Sequence, residues 1–260
     1  EKKEPVHDGL PLTRSIEELR SMQETYVELM SVFIKDFMEP IRQKKLLAPA
    51  VFTAIFPNDI LAIYALNQQL LNRLKCIMLP FEETKKKEKE INESFPKYLR
   101  PLSLASLLSL VYNASKLMLD YSASEPYREL HARYFGQYLD SVSILGKHTS
   151  ANRKLEKFLN KKTNFETYAS TIALRITKYK SIIDGMWEHF RDLMKKETRP
   201  LDVPLENHTP SYEGVEAMLM RAKTSVHDMA QFCNDNGKEL FLEMKYWQLV
   251  EKLDGDHGGG

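Results

Sequence analysis

The residue types that most often carry out covalent or metal chemistry are few in this sequence, and their spacing does not suit such chemistry. Cys76 and Cys233 are the only cysteines, and the seven histidines lack the spacing of metal ligands. His148 and His189 lie beside apolar stripes, where structural histidines are commoner than ligands. No glycine-rich phosphate loop, His-Glu-x-x-His helix or Gly-x-Ser-x-Gly turn is present. We therefore expect no cofactor, no metal site and no residue that forms covalent bonds with a substrate.

Composition is that of a soluble globular protein. The 260 residues are 43% hydrophobic, which suffices for one domain with a sizeable core. Lys+Arg number 37 against 36 Asp+Glu, and the net charge of +1 predicts no general attraction to nucleic acid or to a membrane. Two isolated thiols and the lack of a long apolar run favour a cytoplasmic, monomeric protein. The closing residues, GDHGGG, have the character of a flexible tail or an expression remnant.

Proline placement and hydrophobic spacing predict long helices. No proline falls between Pro126 and Pro200, so helices there need not be interrupted. The first helix is indicated by apolar residues every three to four positions: Leu19, Met22, Tyr26, Leu29, Phe33 and Phe37. Ser15 and Glu18 form a Ser-x-x-Glu capping box that predicts where this helix starts, and Pro40 predicts where it ends.

A second helix is expected to open at Pro57 and to close at Pro80. The mixed-charge run at residues 82–90 indicates a solvated helix face or a loop. Shorter helical segments are expected at residues 102–119, 126–146 and 150–160. The apolar stripe from Phe165 to Leu193 predicts one rod-like helix of roughly 30 residues.

A polar, proline-bearing connection at residues 197–210 separates this rod from a final helical region at about 211–253. Asn236-Gly237 lies inside that region and is a helix-stop or kink signal. No alternating strand pattern and no internal repeat is present. The sequence therefore predicts an elongated, all-α bundle of about six principal helices.

Several segments, in order and spacing, resemble the Dbl homology domain, the catalytic module of Rho-family guanine nucleotide exchange factors. Residues 15–43, SIEELRSMQETYVELMSVFIKDFMEPIRQ, are similar to its first conserved region, and residues 55–64, IFPNDILAIY, to the segment that follows. Residues 138–159 resemble the second region, and 174–179, LRITKY, the third. Asn234-Asp235 is similar to a motif of the last helix, and residues 247–255 are similar to the exit toward a pleckstrin homology domain. The resemblance implies a Dbl homology domain at residues 12–255, between an extension at 1–11 and a tail at 256–260.

In that family, the first and third regions and the last helix grip the switch regions of a Rho/Rac-family small GTPase and stabilise its nucleotide-free state. Exchange is then a linkage effect, because tighter binding of the empty GTPase weakens its hold on the nucleotide by the same factor. The resemblance implies that the GTPase partner is contacted by Glu18, Gln23, Thr171, Arg175, Lys178, Asn234 and Asp235.

Two of these contact positions depart from the family pattern. Gln23 stands where the family usually has a glutamate, and the adjacent Glu24 lies about 100° further around the helix. We expect Gln23 to lie off the core stripe. Thr171 stands where the family usually has a lysine, and Leu174 replaces a usual glutamine. A neutral hydrogen bond contributes about 1–2 kcal/mol less than a charged one, so the expected loss in exchange rate is roughly tenfold.

Three functions are consistent with these observations. The first is a GTPase-binding domain with weak exchange activity, and the second is one that binds the GTPase without stimulating exchange, as a scaffold or competitor. The third is a helical scaffold for membranes or coiled-coil partners, which would form a dimer and carry a long basic stripe. In the first two functions, contact with membrane or cortical actin would come only through flanking domains, such as a pleckstrin homology domain after Gly255.

Overall fold

The computed structural model describes residues 10–94, 104–162, 165–196 and 209–255, with side chains described to residue 83 in the first range and to residue 236 in the last. Every regular element in these ranges is helical, which confirms the all-α class. In chain order, the helices are α1 Leu10–Phe33, α2 Glu39–Gln43, α3 Pro49–Ile55, α4 Asp59–Ser94, α5 Leu104–Ser122, α6 Glu125–Ala151, α7 Arg153–Leu159, α8 Phe165–Ala173, α9 Arg175–Lys196 and α10 Tyr212–Gly255. A π-helical turn, Ile34–Met38, joins α1 to α2.

The residues of the chain divide between two compact units. Unit 1 comprises Glu1–Thr25, Gln68–Ala123 and Thr177–His227, and unit 2 comprises Tyr26–Asn67, Ser124–Ile176 and Asp228–Gly260. Helices α1, α4, α9 and α10 each contribute residues to both units, because the unit boundaries fall inside these helices.

The core of unit 1 is built from the apolar stripes of α1, α4, α5, α9 and α10. Leu19 of α1, Leu74 of α4 and Val111 of α5 are fully buried in it. From α9 come Tyr179, Ile183, Met186 and Phe190, and from α10 Val215, Leu219 and Ala222. The stripes predicted from three-to-four spacing are the faces that the helices bury.

The core of unit 2 is rich in aromatic rings. Phe33 of α1 lies 5.8 Å from Phe56 and 5.2 Å from Phe165, between ring centroids. Phe56 and Phe165 meet edge to face at 5.8 Å. Such pairs contribute about 0.5–1.5 kcal/mol beyond the burial of their area. The predicted stripe residues Phe33 and Phe37 therefore anchor this unit.

The first helix differs from its prediction at both ends. It begins at Leu10, because Leu12 and Ile16 are buried and extend its apolar face. Ser15 lies inside the helix, and its hydroxyl donates to the carbonyl of Pro11 at 3.3 Å, so it caps nothing. The helical path also continues past Pro40 to Gln43. Proline is tolerated there because the π turn places Pro40 in the first turn of α2.

The second predicted helix was wrong at both of its prolines. A separate short helix, α3, lies between residues 49 and 55, and α4 opens at Asp59 after Pro57. Pro80 lies inside α4 and does not end it. An internal proline costs about 3 kcal/mol. The burial of Met78 and Phe81 on either side contributes a comparable amount, roughly 1.5–3 kcal/mol each, and offsets that cost.

The continuity of two later helices differs from the local signals in the sequence, in opposite directions. The predicted rod from Phe165 is interrupted at Leu174, which separates α8 from α9, although Ile172 and Ile176 remain buried on both sides. Helix α10, in contrast, runs through Asn236-Gly237 without a stop. The side-chain amide of Asn236 donates to the carbonyl of Phe232 at 2.8 Å, one turn earlier in the same helix.

Among the described residues, no single helix combines the length and apolar character needed to cross a bilayer. The one pairing that meets both criteria joins α3 to the first part of α4, with a bend of 42° between them.

Candidate functional site

Gln23 is fully buried, which corrects the expectation that it would lie off the core stripe. Its side chain has 0% exposure, and its oxygen accepts a hydrogen bond from the hydroxyl of Tyr179 on α9. The ring of Tyr179 also meets that of Tyr121 edge to face at 5.8 Å. Gln23 falls on the buried face because it lies four residues after Leu19, one helical turn along. A neutral amide therefore joins α1 to α9 in the interior of unit 1.

Arg175 is also buried, with only 6% exposure. Its guanidinium lies 4.6 Å from the centroid of the Tyr26 ring. The hydroxyl of Tyr26 donates to the backbone carbonyl of Ile172 at 3.3 Å. Tyr26 thus connects α1 to the end of α8 and the start of α9 within unit 2, and its ring faces a cation, a favourable arrangement. This arginine is an interior group of unit 2, in contrast to an ordinary solvated charge.

The charged candidates of unit 1 are exposed. Glu18 lies on α1 and Lys178 on α9, both open to solvent. Glu24 is also exposed, and its carboxylate receives a 2.6 Å hydrogen bond from Lys75. This hydrogen bond and the charge of Lys75 lower the pKa of Glu24. A carboxylate therefore does face solvent on this turn of α1, one residue after the position at which the family usually has it.

The remaining candidates of unit 2 lie on α8 and α10. Thr171 is half-buried, and its hydroxyl donates to the carbonyl of Thr167 at 2.7 Å, in the preceding turn. Asn234 is half-buried and Asp235 is exposed. Both carboxylate oxygens of Asp235 accept from the amide of Gln231, at 2.7 and 2.8 Å. Leu174 is 46% exposed, so an apolar side chain faces solvent beside Thr171 and Arg175 in the sequence.

The seven predicted contact residues therefore fall into three classes by exposure, of which Thr171 and Asn234 form the half-buried one. Glu18, Lys178 and Asp235 are accessible and charged, while Gln23 and Arg175 are buried and bonded inside their own units. Sequence reasoning assigned Tyr26 and Tyr179 mainly to core packing, which their burial confirms, but it did not find their bonding roles. The available signal was chemical, since a tyrosine on an apolar stripe carries a hydroxyl that needs a buried partner.

The two cysteines differ in accessibility, with Cys76 exposed and Cys233 buried. Burial raises the pKa of the Cys233 thiol to about 12, which leaves it protonated and unreactive at neutral pH.

Comparison with protein families gives a match to the RhoGEF domain over residues 15–202. The predicted boundary at residue 255 lies beyond the matched residues and stays a prediction. No curated protein matches the sequence significantly.

Solved structures of exchange-factor fragments share the fold at low sequence identity. The complex of PDZ-RhoGEF DH/PH domains with GTP-γ-S activated RhoA superposes with a TM-score of 0.61 at 13% identity, covering 92% of this chain and 56% of that one. A structure of the Vav1 exchange factor gives 0.63 at 14% identity, covering 92% and 53%. An N-terminally truncated linker-DH/PH fragment of p115-RhoGEF gives 0.57 at 13%, covering 90% and 59%.

This chain therefore spans only a little more than half the length of the structures it resembles. The family match covers most of the sequence, and the all-helical architecture agrees with it. The Dbl homology resemblance of the conserved segments is confirmed, and this chain belongs to the RhoGEF domain family.

Proposed function

We propose that this chain binds a Rho/Rac-family small GTPase and stimulates nucleotide exchange only weakly. Membership of the RhoGEF family supports the partner class. Two of the similar structures are complexes of PDZ-RhoGEF fragments with RhoA, which supports it further. The mechanism needs no covalent chemistry, because the domain acts by its preference for the empty GTPase over the loaded one.

The burial of Gln23 is the observation that carries the proposal of weak exchange. Its side-chain oxygen is engaged by Tyr179 and has no exposed surface. A group that is satisfied in the interior gains little by turning toward a partner, since it would first lose its buried hydrogen bond. The position that usually offers a carboxylate to the GTPase therefore offers neither a charge nor an accessible acceptor in the free chain.

The contact at Thr171 is weakened for a second reason. Its hydroxyl already donates within its own helix, and it lacks the positive charge of the usual lysine. Binding would then depend mainly on the accessible charges of Lys178 and Asp235 and on the half-buried amide of Asn234. Hydrogen bonds to charged groups contribute about 1.5–3 kcal/mol each, enough to hold a GTPase without a large acceleration of release.

The test is release of a fluorescent GDP analogue from Rho-type and Rac-type GTPases, with the PDZ-RhoGEF DH/PH fragment acting on RhoA as the reference. We expect slow but measurable acceleration, roughly tenfold or more below the reference. Acceleration equal to the reference would contradict weak exchange. Absence of binding to every nucleotide-free Rho-family GTPase would overturn the proposal as a whole.

Point variants separate the contact residues from general surface charge. Lys178→Ala and Asp235→Ala should each weaken binding of the nucleotide-free GTPase by roughly tenfold or more. Lys180→Ala is the matched control, since Lys180 is an exposed lysine on the same helix two residues away. Equal effects of Lys178→Ala and Lys180→Ala would argue against the proposed contact.

A second candidate is a domain that binds the GTPase without accelerating exchange, acting as a scaffold or competitor. The same buried Gln23 favours it, because loss of that contact could abolish acceleration while leaving binding. Positive binding together with an unchanged release rate would select this function over the first. The third function considered, a helical scaffold for membranes or coiled-coil partners, predicts a dimer, which light scattering would detect.

A further inference from the structure

Two basic segments of unit 2 are brought together by tertiary contacts. The side-chain amide of Asn152, at the junction of α6 and α7, donates to the carbonyl of Leu46 at 2.9 Å. The ammonium of Lys44 lies 5.2 Å from the centroid of the Phe158 ring. Lys162 pairs with Asp36 of the π turn at 3.4 Å. Each of these contacts joins residues more than 100 positions apart in the sequence, and we call the surface that residues 35–48 and 147–162 thus form the basic surface.

The charge of the basic surface is far from that of the whole chain. These two ranges hold ten lysines and arginines against three acidic residues, a formal charge of +7. The whole chain carries +1, so the remaining residues carry −6. The basic members are Lys35, Arg42, Lys44, Lys45, Lys147, Arg153, Lys154, Lys157, Lys161 and Lys162, and all but the half-buried Lys162 are exposed. A local field of this size attracts anions although the net charge of the chain is near zero.

The chain conformation at Lys45 places a second lysine in the loop beside Lys44 at a cost. Lys45 has φ of 50°, in the left-handed region where glycine or asparagine is favoured. It is the one described non-glycine residue with a positive φ. Backbone strain of this kind is found most often at functional sites, which favours a binding role for the charge of Lys45.

The composition of the basic surface favours an anionic lipid bilayer over nucleic acid. Eight of its ten cations are lysines, which act as mobile point charges, whereas bidentate phosphate recognition is typical of arginine. Of the two phenylalanines in these ranges, Phe37 is buried and Phe158 is half-buried with the ammonium of Lys44 over its ring, so neither is an open platform on which a base would stack. Leu46, Leu47 and Leu159 are half-buried between the cations, so apolar contact with the interface accompanies the charge.

We propose that the basic surface binds the anionic face of a phospholipid bilayer, independently of any GTPase. Each Lys or Arg close to such a leaflet strengthens binding by about fivefold, and the attraction falls as salt shortens its range. This inference revises the expectation that membrane contact comes only through flanking domains. The net charge of the chain does not indicate the basic surface, because its charge of +7 and the charge of −6 on the remaining residues nearly cancel.

The experiment is sedimentation of the whole chain with phosphatidylcholine vesicles, with and without phosphatidylserine, in the absence of GTPase. Binding should require phosphatidylserine and should weaken steeply with added salt. The triple variant Lys45→Glu/Lys154→Glu/Lys157→Glu should bind on the order of 100-fold more weakly. The matched control is Lys180→Glu/Lys196→Glu/Arg221→Glu, which changes the charge equally at exposed positions of unit 1 and should retain binding.

Circular dichroism melts of both triple variants show whether each remains folded, and single reversals at Lys154 and Lys157 provide milder tests. Equal loss in the two triple variants would overturn the proposal, as would binding that ignores phosphatidylserine. Failure to bind vesicles while binding single-stranded RNA or a polyglutamate peptide would also overturn it and would name the actual class of partner. Because no GTPase is present, the outcome is separate from that of the exchange assay.

Discussion

The hydroxyl of Tyr179 donates a hydrogen bond to the side-chain oxygen of Gln23, and both side chains are buried in unit 1. Gln23, which the resemblance places where the family usually has a glutamate, is therefore a neutral group bonded inside unit 1. Because Gln23 is buried, a substitution at this position is expected to change the stability of unit 1 in addition to any effect on the proposed binding of a GTPase.

Removal of the Tyr179 hydroxyl should destabilise unit 1. Tyr179→Phe keeps the ring and its contact with Tyr121 but deletes the donor to a buried oxygen. The free energy of unfolding, measured in urea, should fall by about 1–3 kcal/mol. Tyr112→Phe, a half-buried tyrosine against the same core, is the control. A loss no greater than that of the control would show that the Gln23 hydrogen bond contributes little.

Restoring the family carboxylate should cost stability in a pH-dependent way. In Gln23→Glu, burial would raise the pKa of the new carboxyl above its unfolded value of about 4.3. The carboxyl of the folded state then stays protonated to a higher pH than that of the unfolded state. The stability of Gln23→Glu relative to the natural chain is therefore lost as pH rises from about 4.3 through the folded pKa.

Urea unfolding at pH 5 and pH 8 tests this, with Gln69→Glu as the control at an exposed position of α4. If Gln23→Glu were equally stable at both pH values and accelerated GDP release, the buried arrangement would not limit exchange, and the proposed reason for weak activity would be wrong.

The contact between Arg175 and Tyr26 should be measurable by a double-mutant cycle. Arg175→Met keeps an apolar stem and removes the cation 4.6 Å from the ring, while Tyr26→Leu removes the ring. A coupling free energy of about 0.5–2 kcal/mol is expected for this buried pair. Tyr26→Phe loses only the hydroxyl bonded to Ile172, so its effect should add to that of Arg175→Met. Coupling near zero with Tyr26→Leu would contradict a role for the cation.

Acid should destabilise unit 2 through His131. This side chain is buried against the ring of Tyr127 at 4.3 Å, and among the described residues neither ring nitrogen has a hydrogen-bond partner. Burial lowers the pKa of His131 to about 3. In the unfolded chain, where the pKa of a histidine is about 6.5, His131 binds a proton that it does not bind in the folded chain. The free energy of unfolding therefore falls as pH drops below about 6.5.

The expected loss is about 1.4 kcal/mol for each pH unit in that range, or roughly 2 kcal/mol between pH 7 and pH 5. His131→Leu should remove this dependence, and His148→Leu, at an exposed histidine, should leave it. The measurement is the free energy of unfolding of the natural chain and of both variants, obtained from urea unfolding curves at pH 7 and pH 5. An unchanged acid loss in His131→Leu would place the titrating group elsewhere.

Much of the fold was predictable because helical periodicity is local. Residues three to four apart share a face whatever lies opposite, so the stripes through Leu19, Ile63 and Met186 were found without knowledge of their partners. The resemblance of the conserved segments was confirmed for the same reason, since motif order is a property of the sequence alone.

Helix boundaries were less predictable, because local signals compete with distant packing. Pro80 and Asn236-Gly237 carry strong stop signals, yet the helices continue through both. At Leu174 no stop signal is present, yet the helix breaks. The free energies of propensity and capping, about 1–3 kcal/mol, are similar to those of burying one apolar side chain, so either can prevail.

The candidate site was predictable as a set of positions, but the environment of each position was not. The hydrogen bond to Gln23 comes from a residue 156 positions away, and the contacts that form the basic surface join residues more than 100 positions apart. Net charge, a sum over the sequence, cannot show where charges gather.

The sequence by itself determined the all-helical class, the apolar faces and the family, because these depend on residue type and short-range spacing. Only the tertiary structure decided that Gln23 and Arg175 are interior groups while Lys178 and Asp235 face solvent. It also decided that lysines from two distant segments share a surface. Burial and electrostatic fields are set by what lies nearby in space, and that is fixed only when the helices pack.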